Sequence, residues 1–239
     1  MKVGITGSSG FIGSELAKLY PGYSRYPKKD LYVLFHFASP SSETIFKENM
    51  DYCFRETINS FIDMVSFCKT NDIKLIYPSS ATVYNKATAY ARCKACCEEI
   101  HQAYGGDILG LRIFAGYGPG EKNKTGYSSV VYEFCKTMKN GERPVIWGDG
   151  TQTRDFVYID DIVNTIYRHS TSIGMLDIGT GINTSFNELV EIINKELKTN
   201  IEPIYVEKPG NYISETPCSK PIDNPITLEK GVHLICQTL

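Results

Sequence analysis

Short apolar runs alternate along this chain with longer stretches in which apolar positions recur every three or four residues, the two periods that separate strands from helices. Runs at 2–5, 31–37, 73–78, 107–113 and 175–178 read as strands, and the stretches at 11–20, 43–70, 88–104 and 158–169 read as amphipathic helices. Apolar strands with helices between them predict an α/β fold whose parallel sheet is covered on both faces. Pro and Gly become frequent over 115–149 and again after 180, where a further helix at 185–197 stands out. The expected division is a sheet domain made of 1–114 with 150–179, and a small lobe made of 115–149 with 180–239. The lobe is expected to cap the C-terminal strand ends, where open α/β sheets bind ligands.

Two motifs add chemistry. The first strand runs into Thr6-Gly7-Ser8-Ser9-Gly10-Phe11-Ile12-Gly13 and then into a helix. Such a turn lets backbone N–H groups and the positive helix end approach a pyrophosphate, which a Cβ at the glycine positions would obstruct. The second motif is Tyr90-Ala91-Arg92-Cys93-Lys94, where Tyr and Lys four residues apart share one face of a helix. A cation beside a phenol favours the phenolate, and bringing its pKa from near 10 to about 7 takes roughly 4 kcal/mol. That would make an acid/base catalyst of Tyr90.

With these motifs stand Phe35-His36-Phe37-Ala38-Ser39, Ser79-Ser80-Ala81-Thr82-Val83-Tyr84, Leu111-Arg112-Ile113-Phe114, Tyr117-Gly118-Pro119-Gly120 and Gly148 to Val157, in that order. Together they resemble the extended short-chain dehydrogenase/reductases, the NAD-dependent epimerases and dehydratases that act on nucleotide sugars. The resemblance implies a Rossmann-like sheet with a C-terminal substrate lobe. It implies a dinucleotide held by Gly7, Ser9, Gly10, Phe11, Ile12, Phe37, Ala38, Ser39, Tyr90 and Lys94. By the same resemblance Ser80 hydrogen-bonds the reacting oxygen, Tyr90 transfers the proton, and Lys94 holds the nicotinamide ribose and lowers the Tyr pKa. Thr82 and Arg154 join Ser80 as expected substrate contacts.

The departures from the family pattern are informative. Only Tyr20 to Lys29 separates the first helix from the His36 strand, so at least one strand and one helix are expected to be missing. The acidic residue about 20 positions past the glycine turn, which would bind the adenosine ribose, has no clear counterpart. Arg25, Lys28 and Lys29 occupy the gap, and they read either as a 2′-phosphate contact or as a solvated basic turn. NAD is the expected cofactor, with NADP held as the alternative. Dehydratases of the family place an acid just after the Ser or Thr, whereas here Ala81 and Thr82 follow, so 4-epimerisation is expected and 4-keto reduction is the alternative. Ala115 replaces an Asn that contacts the substrate diphosphate in relatives. That leaves Arg154 as the candidate diphosphate ligand, unless it pairs with Asp155 or Asp160. A dinucleotide-binding sensor without turnover is the alternative of another class.

Composition excludes other partners. A net charge of −2 with scattered basic residues offers no field for nucleic acid, and no 18-residue apolar window points to a membrane. A cytoplasmic location is therefore expected. Of the eight Cys, Cys93 and Cys96 make a single C-x-x-C with no second pair at zinc spacing, so no metal is expected. Phe54, Phe61, Val65 and Cys68 approximate an apolar stripe on the 43–70 stretch, and relatives pair such helices across a two-fold axis, so a homodimer is expected.

Overall fold

The computed structural model describes residues 2–123, 127–208 and 214–239. In chain order the elements are β1 (Val3–Thr6), α1 (Phe11–Leu19), β2 (Val33–His36), α2 (Glu43–Glu48), α3 (Met50–Phe54), a π-helical turn (Arg55–Asn59), α4 (Ser60–Thr70), β3 (Lys74–Ser80), a 3-10 turn (Ala81–Tyr84), α5 (Ala89–Tyr104) and β4 (Ile108–Ile113). There follow β5 (Ala115–Tyr117), α6 (Val130–Lys139), β6 (Val145–Trp147), β7 (Thr153–Tyr158), α7 (Ile159–Arg168), β8 (Gly174–Ile178), β9 (Asn183–Ser185), α8 (Phe186–Leu197), β10 (Ile204–Val206) and α9 (Leu228–Thr238). The chain forms two compact units, Met1–Ile113 with Val163–Asp177, and Phe114–Ile162 with Ile178–Leu239.

The first unit is built on a five-stranded sheet in the order β1-β2-β3-β4-β8. The pairings β1 with β2, β2 with β3 and β3 with β4 are all parallel. Their near-continuous apolar character follows from coverage on both faces. On one face α4 and α5 bury Phe61, Val65, Cys68 and Cys97 against Leu34, Leu75, Tyr77 and Ile108. Each such aliphatic or aromatic side chain contributes about 1.5–3 kcal/mol of burial. Phe61, Val65 and Cys68 are therefore core residues of this unit, so burial within the chain accounts for these three positions of the apolar stripe.

The missing strand and helix are visible as a sheet that stops at β1. On its outer side β1 meets, among the described residues, Ser24 alone, through a parallel bridge to Gly4 in which Ser24 N–H donates to Val3 O and Ile5 N–H to Ser24 O, both at 2.8 Å. The stretch 43–70 is also not one helix. Asn49 ends α2 and caps α3 by accepting from Tyr52 N–H, and the π turn then widens the path before α4. An apolar period survives such interruptions, so periodicity alone cannot show them.

In the second unit β7 pairs parallel with β5 and antiparallel with β9, while β6 pairs with β10. This moves 150–162 out of the sheet domain in which the sequence placed it, because β7 takes its ladder bonds from β5 and β9 and none from the main sheet. Among the described residues no helix is long and apolar enough to cross a membrane.

Candidate active site

The glycine turn is shaped by contacts that leave no room for side chains. Gly7 lies at φ +71°, and a Cβ there would stand 2.5 Å from the Phe37 carbonyl carbon and 2.6 Å from Ala38 N. A Cβ on Gly13 would stand 2.2 Å from Gly7 O. The turn is closed by Gly10 N–H donating to Gly7 O at 2.9 Å. Gly10 caps α1 without a side chain, and the first turn of α1 carries no acid, so the positive end of the helix dipole has no counter-charge of its own there. Behind the turn His36 is buried, with Thr6 Oγ1 at 2.8 Å from Nδ1 and Ser60 Oγ at 3.3 Å from Nε2. Burial, helped by the Lys94 charge, pushes its pKa down to about 4, so the imidazole is neutral and fixes the chain that leads into Phe37, Ala38 and Ser39.

At the end of β3, Ser80 meets α5. Thr88 caps that helix by accepting from Ala91 N–H, which fixes Tyr90 and Lys94 in its first turns. The half-buried Tyr90 phenol stands close to Ser80, whose Oγ accepts from Thr82 N–H at 3.3 Å and Thr82 Oγ1 at 3.0 Å. Lys94 is buried, its Nζ donating to Ser39 Oγ at 3.0 Å and Pro78 O at 3.1 Å and lying 5.8 Å from the Tyr90 ring centre. Burial drives both groups toward neutrality. It raises the phenol to about 12, with Ser80 pulling the other way, and lowers the Lys94 ammonium. Desolvation is the largest influence on the phenol, so lowering it toward 7 calls on the Lys94 charge together with that of a nicotinamide ring.

One turn further along the same face, Glu98 clamps three elements together. Its carboxylate accepts from Ser79 Oγ at 2.5 Å and from Arg112 Nη2 at 2.6 Å and Nε at 3.0 Å. Arg112 in turn donates to Tyr84 Oη at 2.9 Å, and that hydroxyl donates to Asp177 at 2.7 Å. Ser79 precedes Ser80, so the clamp fixes the β3 end against α5 and β4. In the second unit, Arg154 donates to Thr153 O at 2.7 Å and stacks over Phe186 with 5.6 Å to the ring centre. Asp155 is wholly buried and accepts from Thr180 N–H, Thr180 Oγ1 and Gly181 N–H at 2.7–2.8 Å. Nearby, a cavity of about 360 Å³ is lined by Gly148, Asp149, Gln152 and Lys208 among others.

Residues 23–175 match the NAD dependent epimerase/dehydratase family. The chain belongs to this family. It is 31% identical over 202 residues to a putative UDP-glucose 4-epimerase of Methanocaldococcus jannaschii, an alignment covering 76% of this chain and 66% of that protein's length. In fold it is similar to a UDP-N-acetylglucosamine 4-epimerase of Methanobrevibacter ruminantium solved with UDP-N-acetylmuramic acid, with TM-score 0.86, 24% identity, and 99% and 97% of the two chains covered. A UDP-glucose 4-epimerase of Thermotoga maritima solved with UDP-glucose gives TM-score 0.87, 20% identity, and 100% and 98% coverage.

The family's NAD dependence can be set against the residues present. The Gly7, Gly10 and Gly13 turn packs too closely for any Cβ and leads into the acid-free start of α1, whose positive dipole end suits an anion, and Tyr90 with Lys94 stands in the same unit, so the pyrophosphate and nicotinamide ends fit. At the adenosine end the ribose carboxylate is absent. The two acids preceding His36 are Glu15 and Asp30, and each is already paired, with Lys18 at 2.5 Å and Lys2 at 2.7 Å. Sequence reasoning missed Glu98 and assigned no role to His36. The spacing of Glu98 four residues past Lys94 was the available signal, because it extends the Tyr90–Lys94 face by one turn.

Proposed function

We propose that this chain is a cytoplasmic NAD(P)-dependent nucleotide-sugar 4-epimerase that works through a transient 4-keto sugar. The observation that carries this reading is the joining of Ser80, Tyr90 and Lys94 at the end of β3, in the unit that holds the glycine turn. A bound nicotinamide dinucleotide would supply the hydride acceptor and donor for C4. This chain's residues handle the proton. Tyr90 takes it from the sugar O4 as the ketone forms and returns it when the alcohol is restored, while Ser80 holds O4 by a hydrogen bond. Lys94, anchored by Ser39 and Pro78, holds the nicotinamide ribose. Moving a phenol from about 12 to about 7 takes roughly 7 kcal/mol, so Tyr90 acts as a base only when positive charge additional to Lys94 is close to it. Arg154 is the proposed diphosphate ligand and Thr82 a sugar contact. Similarity to UDP-sugar epimerases makes UDP-glucose and UDP-N-acetylglucosamine the first substrates to test.

A second reading, NADPH-dependent reduction of a 4-keto sugar, is favoured by Arg25 at the adenosine end. The deciding experiment follows each UDP-sugar by NMR with NAD or NADP present. Inversion at C4 that disappears in Tyr90→Phe supports the epimerase. Stoichiometric NADPH consumption with a 4-keto sugar supports the reductase, and neither change, with dinucleotide bound, overturns both in favour of a binding protein without turnover. A homodimer is proposed on the family resemblance. Light scattering at micromolar concentration tests it, and a monomer refutes it.

A further inference from the structure

The outer edge of β1 carries a group of residues that the proton chemistry does not use. Ser24 pairs with that edge, so the residue after it, Arg25, emerges at the C-terminal end of β1 beside the glycine turn. The Tyr23 phenol stands close to both Ser8 of the turn and Arg25, whose hydrogen-bonding groups lower its pKa. Arg25 is exposed, and the segment 20–29 contains Arg25, Lys28 and Lys29 and no acid. The acids on either side, Glu15 and Asp30, are held by lysines. A ribose diol offers hydroxyl donors that seek a carboxylate, and none stands here. A phosphate dianion seeks a guanidinium and hydroxyl donors, and both are present.

Resting on the dinucleotide reading above, we infer that Arg25, Tyr23 and Ser8 form a recognition site for the 2′-phosphate of an NADP-type dinucleotide. The site replaces ribose recognition by an acid, which a shortened sheet no longer provides. It makes this chain prefer NADP where its family is NAD dependent.

Calorimetric titration of the full chain with NADP+ and with NAD+ tests this through binding alone. Wild type should bind NADP+ ten- to a hundredfold more tightly. Arg25→Ala should remove that preference while leaving NAD+ affinity within twofold, and Tyr23→Phe should weaken NADP+ about threefold. Raising salt should weaken NADP+ more steeply than NAD+ in wild type and equally in Arg25→Ala. NAD+ binding as tightly as NADP+ to wild type, or Arg25→Ala weakening both alike, overturns this inference and leaves the Tyr90 chemistry standing. Binding of neither dinucleotide overturns both. Arg25 is exposed, so the variant's fold is not at stake, and matching melting curves verify that.

Discussion

Two corners of the first unit's sheet differ sharply in how they are held. At the β3–α5 corner, Glu98 joins Ser79 and Arg112 by short hydrogen bonds, Lys94 is held by Ser39 and the Pro78 carbonyl, and Ser80 stands close to Tyr90, all among mostly buried side chains. At the outer edge of β1 the chain is held by a single backbone bridge at Ser24 and by contacts among partly or fully exposed side chains. The first arrangement fixes reacting groups to fractions of an ångström, as proton transfer requires. The second tolerates exchange of residues, as selection between two cofactors requires. On the proposed function, one sheet carries a rigid chemical corner and a replaceable recognition edge.

The comparison breaks most easily at Tyr90. Tyr90→Phe deletes one hydroxyl from a packed ring and should lower kcat about 10²- to 10⁴-fold with dinucleotide affinity nearly unchanged. A loss below threefold would mean that the rigid corner is not where the reaction occurs. Glu98→Ala tests rigidity itself. It leaves Arg112 half-buried without its carboxylate and should cost about 3–5 kcal/mol in urea unfolding, whereas exposed Arg25→Ala should cost under about 0.5 kcal/mol. Equal costs would erase the distinction between the corners.

The rigid corner was more legible in the sequence than the edge, and in physical terms this follows from periodicity. Tyr90 and Lys94 are four apart on one helix, so their shared face needs no tertiary information, and the strand–glycine–helix order at Val3 to Leu19 is equally local. Whatever depends on partners distant in sequence was hidden. The apolar residues Phe61, Val65 and Cys68 fit a partner helix or their own sheet equally well, and the pattern of 153–158 does not say which sheet β7 joins. The balance between burial and charge at Tyr90 was also unreadable, because spacing reports neighbours and says nothing of the water removed around them. Missing elements were readable as a short interval between motifs. That Ser24 would stand in for the lost strand was not, since one bridged residue leaves no period.

A smaller effect ties the glycine turn to acid stability. The folded His36 pKa is about 4 against about 6.5 when unfolded, so between those values the unfolded chain binds a proton that the folded chain does not. Stability contributed by the neutral imidazole is complete above pH 6.5 and is lost as pH falls toward 4, by about 3 kcal/mol in all. Urea midpoints at pH 7.5 and 4.5 should therefore converge in His36→Gln relative to wild type. Parallel declines in the two proteins would show that His36 is solvated, and the backing of the turn would have to be sought elsewhere.

The smallest effect separates positioning from packing inside the rigid corner. Ser39→Ala removes one of the two acceptors of Lys94 Nζ and leaves the Pro78 carbonyl. A hydrogen bond to a charged group is worth about 1.5 kcal/mol at the lower end, so the dinucleotide Kd and kcat/KM should each worsen about tenfold. Unfolding free energy should move by under about 1 kcal/mol, because the ammonium is lowered toward neutrality by burial and keeps a partner. Ser39→Thr should restore both parameters, as it returns the hydroxyl. A Ser39→Ala enzyme with wild-type Kd and an unshifted pH profile would show that Pro78 alone sets the lysine. In that case the serine next to the glycine turn fills space, and the link between cofactor and proton donor runs through the β3 backbone.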